Sequence, residues 1–193
     1  MEIPIQPIIL STPVIIYYFN RKRKGYSKDE IFENLGLTLS KLKYYGWGLL
    51  IALTSIGLNF IIIKFVTPGI FENKNLGNNI YHNWTFGIGT LLLAFIRELI
   101  YVTFGEEIFF RGFLAGILIR KFDFKVGNLL QALIFLLPHL SLLLISSSFL
   151  LLLIIVAITG WIIGLLRHKS KSIFPGLLAH ALANTFAAII VMK

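Results

Sequence analysis

Three stretches of the chain, Leu49 to Ile63, Leu129 to Ile145 and Phe149 to Leu166, contain no Asp, Glu, Lys or Arg. Alone or with their flanks they are long enough to cross an apolar layer about 30 Å thick. A backbone in hydrocarbon has no water to bond, and a helix satisfies its N–H and C=O groups within one segment. The 193 residues are 56% hydrophobic and only 14% charged, too few polar side chains to cover a soluble domain of this size. The expected fold is an all-α polytopic transmembrane bundle. It forms a single membrane domain over residues 1–193, with little sequence left for a soluble one.

Charge placement gives the orientation. The net charge of +9 does not point to nucleic acid, because Lys and Arg gather beside the apolar segments, where they mark the cytoplasmic face. A first candidate span, Ile3 to Phe19, is weakened by Pro4, Pro7 and Pro13 and ends at the basic run Arg21–Lys24. Ser27 and Glu30 then have capping-box spacing, and Ile31, Phe32 and Leu35 make a short amphipathic helix suited to the membrane interface. Further spans are expected over Tyr44 to Val66, Thr85 to Arg120, Val126 to Ile145, Ser147 to Leu166 and Ile173 to Met192, with a polar loop from Thr67 to about Asn83. Counting Thr85 to Arg120 as one crossing puts Arg120, Lys121 and Lys125 on the side of the Arg21–Lys43 loop, together with Arg167, Lys169 and Lys171. Splitting it near Gly105 would send both later clusters outside. The expectation is therefore about six crossings of the cell membrane, basic loops cytoplasmic, both termini outside, and a tilt or kink near Gly105. The opening Met1-Glu2-Ile3 lacks the basic region of a signal peptide. With no cysteine, disulfides, thiolate metal sites and a cysteine nucleophile are excluded.

Against this background the polar residues inside spans stand out. Of nine carboxylates, Glu98, Glu106 and Glu107 lie in a span, with Arg97 and Arg111 beside them, and so do His139 and His180 among four histidines. Such groups are costly in hydrocarbon, so they face the protein interior, pair, and mark function. At about 1.5 Å per residue from the cytoplasmic ends, Glu106 lies roughly 21 Å along its helix and His139 roughly 20 Å. His180 and Asn184 lie roughly 10 and 16 Å along theirs. Three helices can thus bring polar groups to one level. Glu107 and Arg111 have the i,i+4 spacing of an ion pair, while Glu106 points about 100° away and is left available as a base. Phe135 and His139 share one helix face, as do His180 and Asn184.

These residues carry a resemblance. Glu106-Glu107-x-x-x-Arg111, Phe135-x-x-x-His139 and His180-x-x-x-Asn184, with Gly105 before and Gly112 after the first motif, resemble the three-motif signature of the CAAX prenyl endopeptidase and bacteriocin-processing family of intramembrane peptidases. The motifs stand in family order within a core of about 85–193. The resemblance implies that Glu106 activates water with help from His139, that His180 and Asn184 stabilise the oxyanion, and that Glu107, Arg111 and Phe135 support the site. It implies a membrane-embedded or membrane-associated peptide substrate, prenylated or not. No cofactor is favoured; if zinc were used, its ligands would be Glu106, His139 and His180.

Other readings have less support. Glu106, Glu107 and Arg111 could form a buried ion-pair knot, but two acids against one base neutralise poorly. Arg97 and Glu98 are expected to face a polar cavity or a neighbouring helix rather than join the chemistry. Gly160-x-x-x-Gly164 and Gly112-x-x-x-Gly116 suit close helix packing, and Trp47, Trp84 and Trp161 suit interface or packing positions. The chain has no His-Glu-x-x-His and no Gly-x-Ser-x-Gly, and neither Asp29 nor Asp123 is in a span, which sets aside three other peptidase chemistries. The functional rival is a non-catalytic immunity or scaffold protein that binds a peptide or membrane partner. A small transporter comes third, since no internal repeat is visible.

Overall fold

The computed structural model describes residues 5–65 and 76–193, and among them it contains helices and no strand. The principal helices are α1 (Ile5–Arg23), α2 (Lys28–Leu35), α3 (Leu42–Phe65), α4 (Ile88–Phe122), α5 (Phe124–His139), α6 (Leu150–Ser170) and α7 (Phe174–Val191). Five are long and apolar enough to cross a membrane: α3, α4, α5 with its tighter continuation to Leu144, α6 with the turn before it, and α7. α1 accompanies them as another long helix, with Gln6, Ser11, Thr12, Asn20 and a basic last turn diluting its apolar character. Pro13 lies inside α1 without ending it. The expected start of the first span at Ile3, the end of the second at Val66 and most of the polar loop lie outside the described residues. The loop's far end forms a 3₁₀ turn over Gly77–Tyr81.

The side-chain distribution is that of a membrane protein. Large apolar residues face outward, among them Leu49 and Leu53 of α3, Leu133 and Leu137 of α5, and Ile154 and Ile158 of α6. Polar groups go inward: Glu107, Arg111, Asn128, Gln131 and Thr103 are almost completely buried. A soluble protein does not expose so much contiguous apolar surface.

α7 packs against α3, α6 and the first half of α4, and α5 fills the space between the end of α4 and α6. The small residues allow this. Gly160 lies against Phe135 and Gly164 against Asn128, so the first glycine pair seats α6 on α5. Gly112 and Gly116 instead face the carbonyls of Leu35 and Asn34 at the end of α2, rather than another span. The Ser27–Glu30 capping box starts α2 with both reciprocal bonds in place, and Gly36, in a left-handed conformation, ends it. The Ser27 backbone N–H, then its hydroxyl, hold the Glu30 carboxyl below its ordinary range. Ile31 and Leu35 bury against Val14, Ile108 and Ile173.

All three basic clusters sit at one end of the bundle. Arg167 reaches the Glu33 and Asn34 carbonyls, Ile173 N–H bonds Gly36 O at 2.9 Å, and the Phe124 ring lies 4.2 Å from that of His168. The single crossing by α4 therefore has the consequence expected of it. At the opposite end Trp84 and Phe86 bond the backbone of Lys193.

α4 is continuous through Gly105, but it is not regular. Its winding widens to π-type turns over Glu98–Thr103 and again over Glu107–Leu114, leaving one short α segment, Phe104–Glu106, between them. Such turns within α-helices are frequent at functional sites. Gly105 admits the start of α1 here: a Cβ on it would come 2.7 Å from Pro7 Cα. The first turn of α1 thus lies at the level of Glu106.

Candidate active site

The central residues come from α4, α5 and α7. Arg111 Nη1 pairs with Glu107 Oε1 at 3.0 Å, both side chains fully buried, as the i,i+4 spacing requires. The same Glu107 oxygen lies 2.9 Å from His180 Nδ1. One carboxylate therefore bridges an arginine on its own helix and a histidine on α7. Charge neutralisation of this kind makes a fully buried ion tolerable.

Glu106 has different partners. Its Oε1 accepts a 2.6 Å hydrogen bond from Gln6 Nε2, supplied by α1. Its Oε2 is buried, accepts no hydrogen bond among the described residues, and lies 3.6 Å from His180 Nε2. Glu107 Oε2 is likewise buried without a bond, so what sets Glu106 apart is that it lines a cavity while Glu107 is held by Arg111. The i,i+1 geometry thus separates the two acids as expected, one neutralised and one with an open face.

Phe135 brackets the site. Its ring lies 4.0 Å from the Arg111 guanidinium carbon and contacts the rings of His139 at 4.8 Å and His180 at 5.8 Å. His139 Nδ1 donates to Phe135 O at 2.9 Å, leaving Nε2 as the free nitrogen of that ring. Arg111, Phe135, His139, His180 and Asn184 all line one cavity of about 300 Å³. A second cavity, of about 560 Å³, is lined by Glu106, Glu98, Gln6, Tyr81, Arg97 and Asn184. Asn184 lies on both.

The motif residues Glu106, Glu107, Arg111, Phe135, His139, His180 and Asn184 therefore gather at one place, but their pairing is finer than the spacing gave. The imidazole in contact with Glu106 is that of His180. Asn184, expected to work beside His180, donates through Nδ2 to Glu98 Oε2 at 3.3 Å. Arg97 and Glu98 face a cavity and a neighbouring helix, as expected of them. Gln6 and Tyr81 were not singled out by sequence. Gln6 had one signal, an amide in an apolar run, whereas Tyr81 sits in a polar loop with nothing to mark it. Trp84 packs edge-on against Tyr81, while Trp47 and Trp161 face outward.

Among the described residues no group of three His, Asp or Glu side chains is close enough together to form a metal cluster.

The family model for type II CAAX prenyl endopeptidase Rce1-like proteins matches residues 88–186, just over half of the chain. The chain belongs to the Rce1-like family. The matched region runs from the start of α4 to within α7 and contains all three motifs. In this Rce1-like protein α1 and α3 lie outside the match, yet α1 supplies Gln6 to Glu106 and α3 packs on α7. Neither the curated proteins nor the solved structures gave a match to the chain.

Proposed function

We propose that the chain is an intramembrane endopeptidase that hydrolyses a peptide bond of a membrane-associated or prenylated peptide with water activated at Glu106. The observation that carries this reading is the state of Glu106: one oxygen held by Gln6, the other buried and unbonded beside His180, at cavities shared with Asn184. Family membership supports the reaction class.

In this scheme Glu106 Oε2 takes a proton from water, and the resulting hydroxide attacks the scissile carbonyl carbon. The carbonyl oxygen becomes an oxyanion, which accepts N–H donors from Asn184 and from protonated His180. Preorganised donors of this kind are worth several kcal/mol in a water-poor site. Glu106 then returns its proton to the leaving amine as the C–N bond breaks. His139, with Nε2 free and Phe135 fixing its ring, assists in orienting the water. Glu107 and Arg111 hold His180 and Glu106 in register. The scheme uses no metal.

The test is cleavage of a farnesylated CAAX-type peptide and of unprenylated membrane peptides by the full chain in proteoliposomes. Glu106→Gln should remove a general-base term of about 10²- to 10⁴-fold while leaving thermal stability and insertion intact. Full activity in Glu106→Gln would overturn the assignment. Peptide binding without turnover by the wild type would favour the scaffold reading.

A further inference from the structure

The Asn184 amide has two N–H donors and one oxygen, and its use in the site depends on which of them faces the substrate. Glu98 decides this. A carboxylate only accepts, so the Asn184 atom 3.3 Å from Glu98 Oε2 must be nitrogen. Without that partner the amide could turn over and present its oxygen to a developing oxyanion, which repels it.

Glu98 is itself held from the other side. Tyr81 donates to Glu98 Oε1 at 2.5 Å, Arg97 Nη1 lies 3.5 Å from the same oxygen, and Arg97 Nη1 donates to the Tyr81 hydroxyl at 3.2 Å. Tyr81 is 1% exposed and Glu98 7%. Burial, then the bond to Glu98, raise the Tyr81 pKa, keeping its hydroxyl a donor. Tyr81 packs against Ala94 and Ala188, so the short turn Gly77–Tyr81 is anchored to both α4 and α7. Thr103 Oγ1 bonds the Glu98 carbonyl within the widened turn of α4, fixing the backbone that carries the carboxylate.

We infer that Glu98 is a positioning residue for the reaction: supported by Tyr81 and Arg97, it fixes the Asn184 amide so that its second N–H is the group offered to the oxyanion. The inference rests on the peptidase reading for its catalytic meaning. The plain alternative is that Glu98 only staples α4 to α7.

The experiment uses the full chain in proteoliposomes and the peptide that the wild type cleaves. Glu98→Leu should lower kcat with KM little changed, by less than the about 10²- to 10³-fold that loss of a whole oxyanion donor costs. Glu98→Gln, which keeps a carbonyl acceptor, should recover most of the rate. Glu98→Leu added to Asn184→Ala should cost nothing further, because the group it positions is gone. Additive losses, or a loss in Glu98→Gln equal to that in Glu98→Leu, would overturn the inference. Should Glu98→Leu fail to fold, Tyr81→Phe removes one donor to Glu98 and should show the same kcat effect and the same non-additivity with Asn184→Ala. A second readout is independent of turnover. With ¹⁵N-labelled asparagine, the side-chain signal absent from Asn184→Ala should shift in Glu98→Gln, and an unmoved signal overturns the inference. An inactive wild type with a shifted signal would sink the peptidase reading and leave the Glu98–Asn184 contact standing.

Discussion

The imidazole of His180 is bound through Nδ1 to Oε1 of Glu107 at 2.9 Å, so a carboxylate on another helix sets its tautomer. A carboxylate accepts, Nδ1 must donate, and in the neutral ring Nε2 is bare. Nε2 can then donate to an oxyanion only when the ring is protonated. His180→Gln should therefore lower kcat on the cleaved peptide while leaving thermal stability in detergent little changed. Unchanged turnover in His180→Gln would show that this ring is not a donor to the oxyanion.

Gln6 extends the site beyond the family-matched region. Its 2.6 Å bond holds one oxygen of Glu106, and hydrogen bonds to charged groups contribute about 1.5–3 kcal/mol. Gln6→Leu should reduce cleavage by about tenfold or more, each factor of ten being about 1.4 kcal/mol in the barrier. Gln6→Glu, which sets a second carboxylate against Glu106, should reduce it further at neutral pH. Steady-state rates beside thermal unfolding in detergent check this. Unchanged rates in both variants would show that α1 does not act on the base.

Metal dependence separates two schemes that differ over His180. With water activated by Glu106 unaided, activity should persist after treatment with strong chelators, and elemental analysis should find no stoichiometric zinc. His180→Gln should then keep part of the rate. About one zinc per chain, lost together with activity in His180→Gln, would instead identify that histidine as a ligand.

The three basic clusters share one end of the bundle, which makes sidedness a single question. Single cysteines at Lys28 and Lys171, both exposed, should resist an impermeant thiol reagent in intact cells and react after lysis. The natural chain contains no cysteine to interfere. Labelling from outside at either position would reverse the orientation.

Much of this protein was legible in the order of its residues. Apolar length gave the spans, because hydrocarbon admits only self-satisfied backbone, and basic clusters gave the single crossing of α4. Spacing along one helix gave the Glu107–Arg111 pair and left Glu106 apart from it, since 3.6 residues per turn fixes which neighbours meet. The kink expected near Gly105 became widened turns on either side of it, a choice between windings that small side chains permit but do not dictate. Contacts between helices were another matter. That His180 rather than His139 meets both glutamates, that Asn184 turns to Glu98, and that Gln6 and Tyr81 reach the site from α1 and a polar turn depend on how each helix is rotated and seated. Those rotations are set by packing, such as Pro7 against Gly105 and Phe135 against Arg111, and no periodicity within one segment encodes the face of the next.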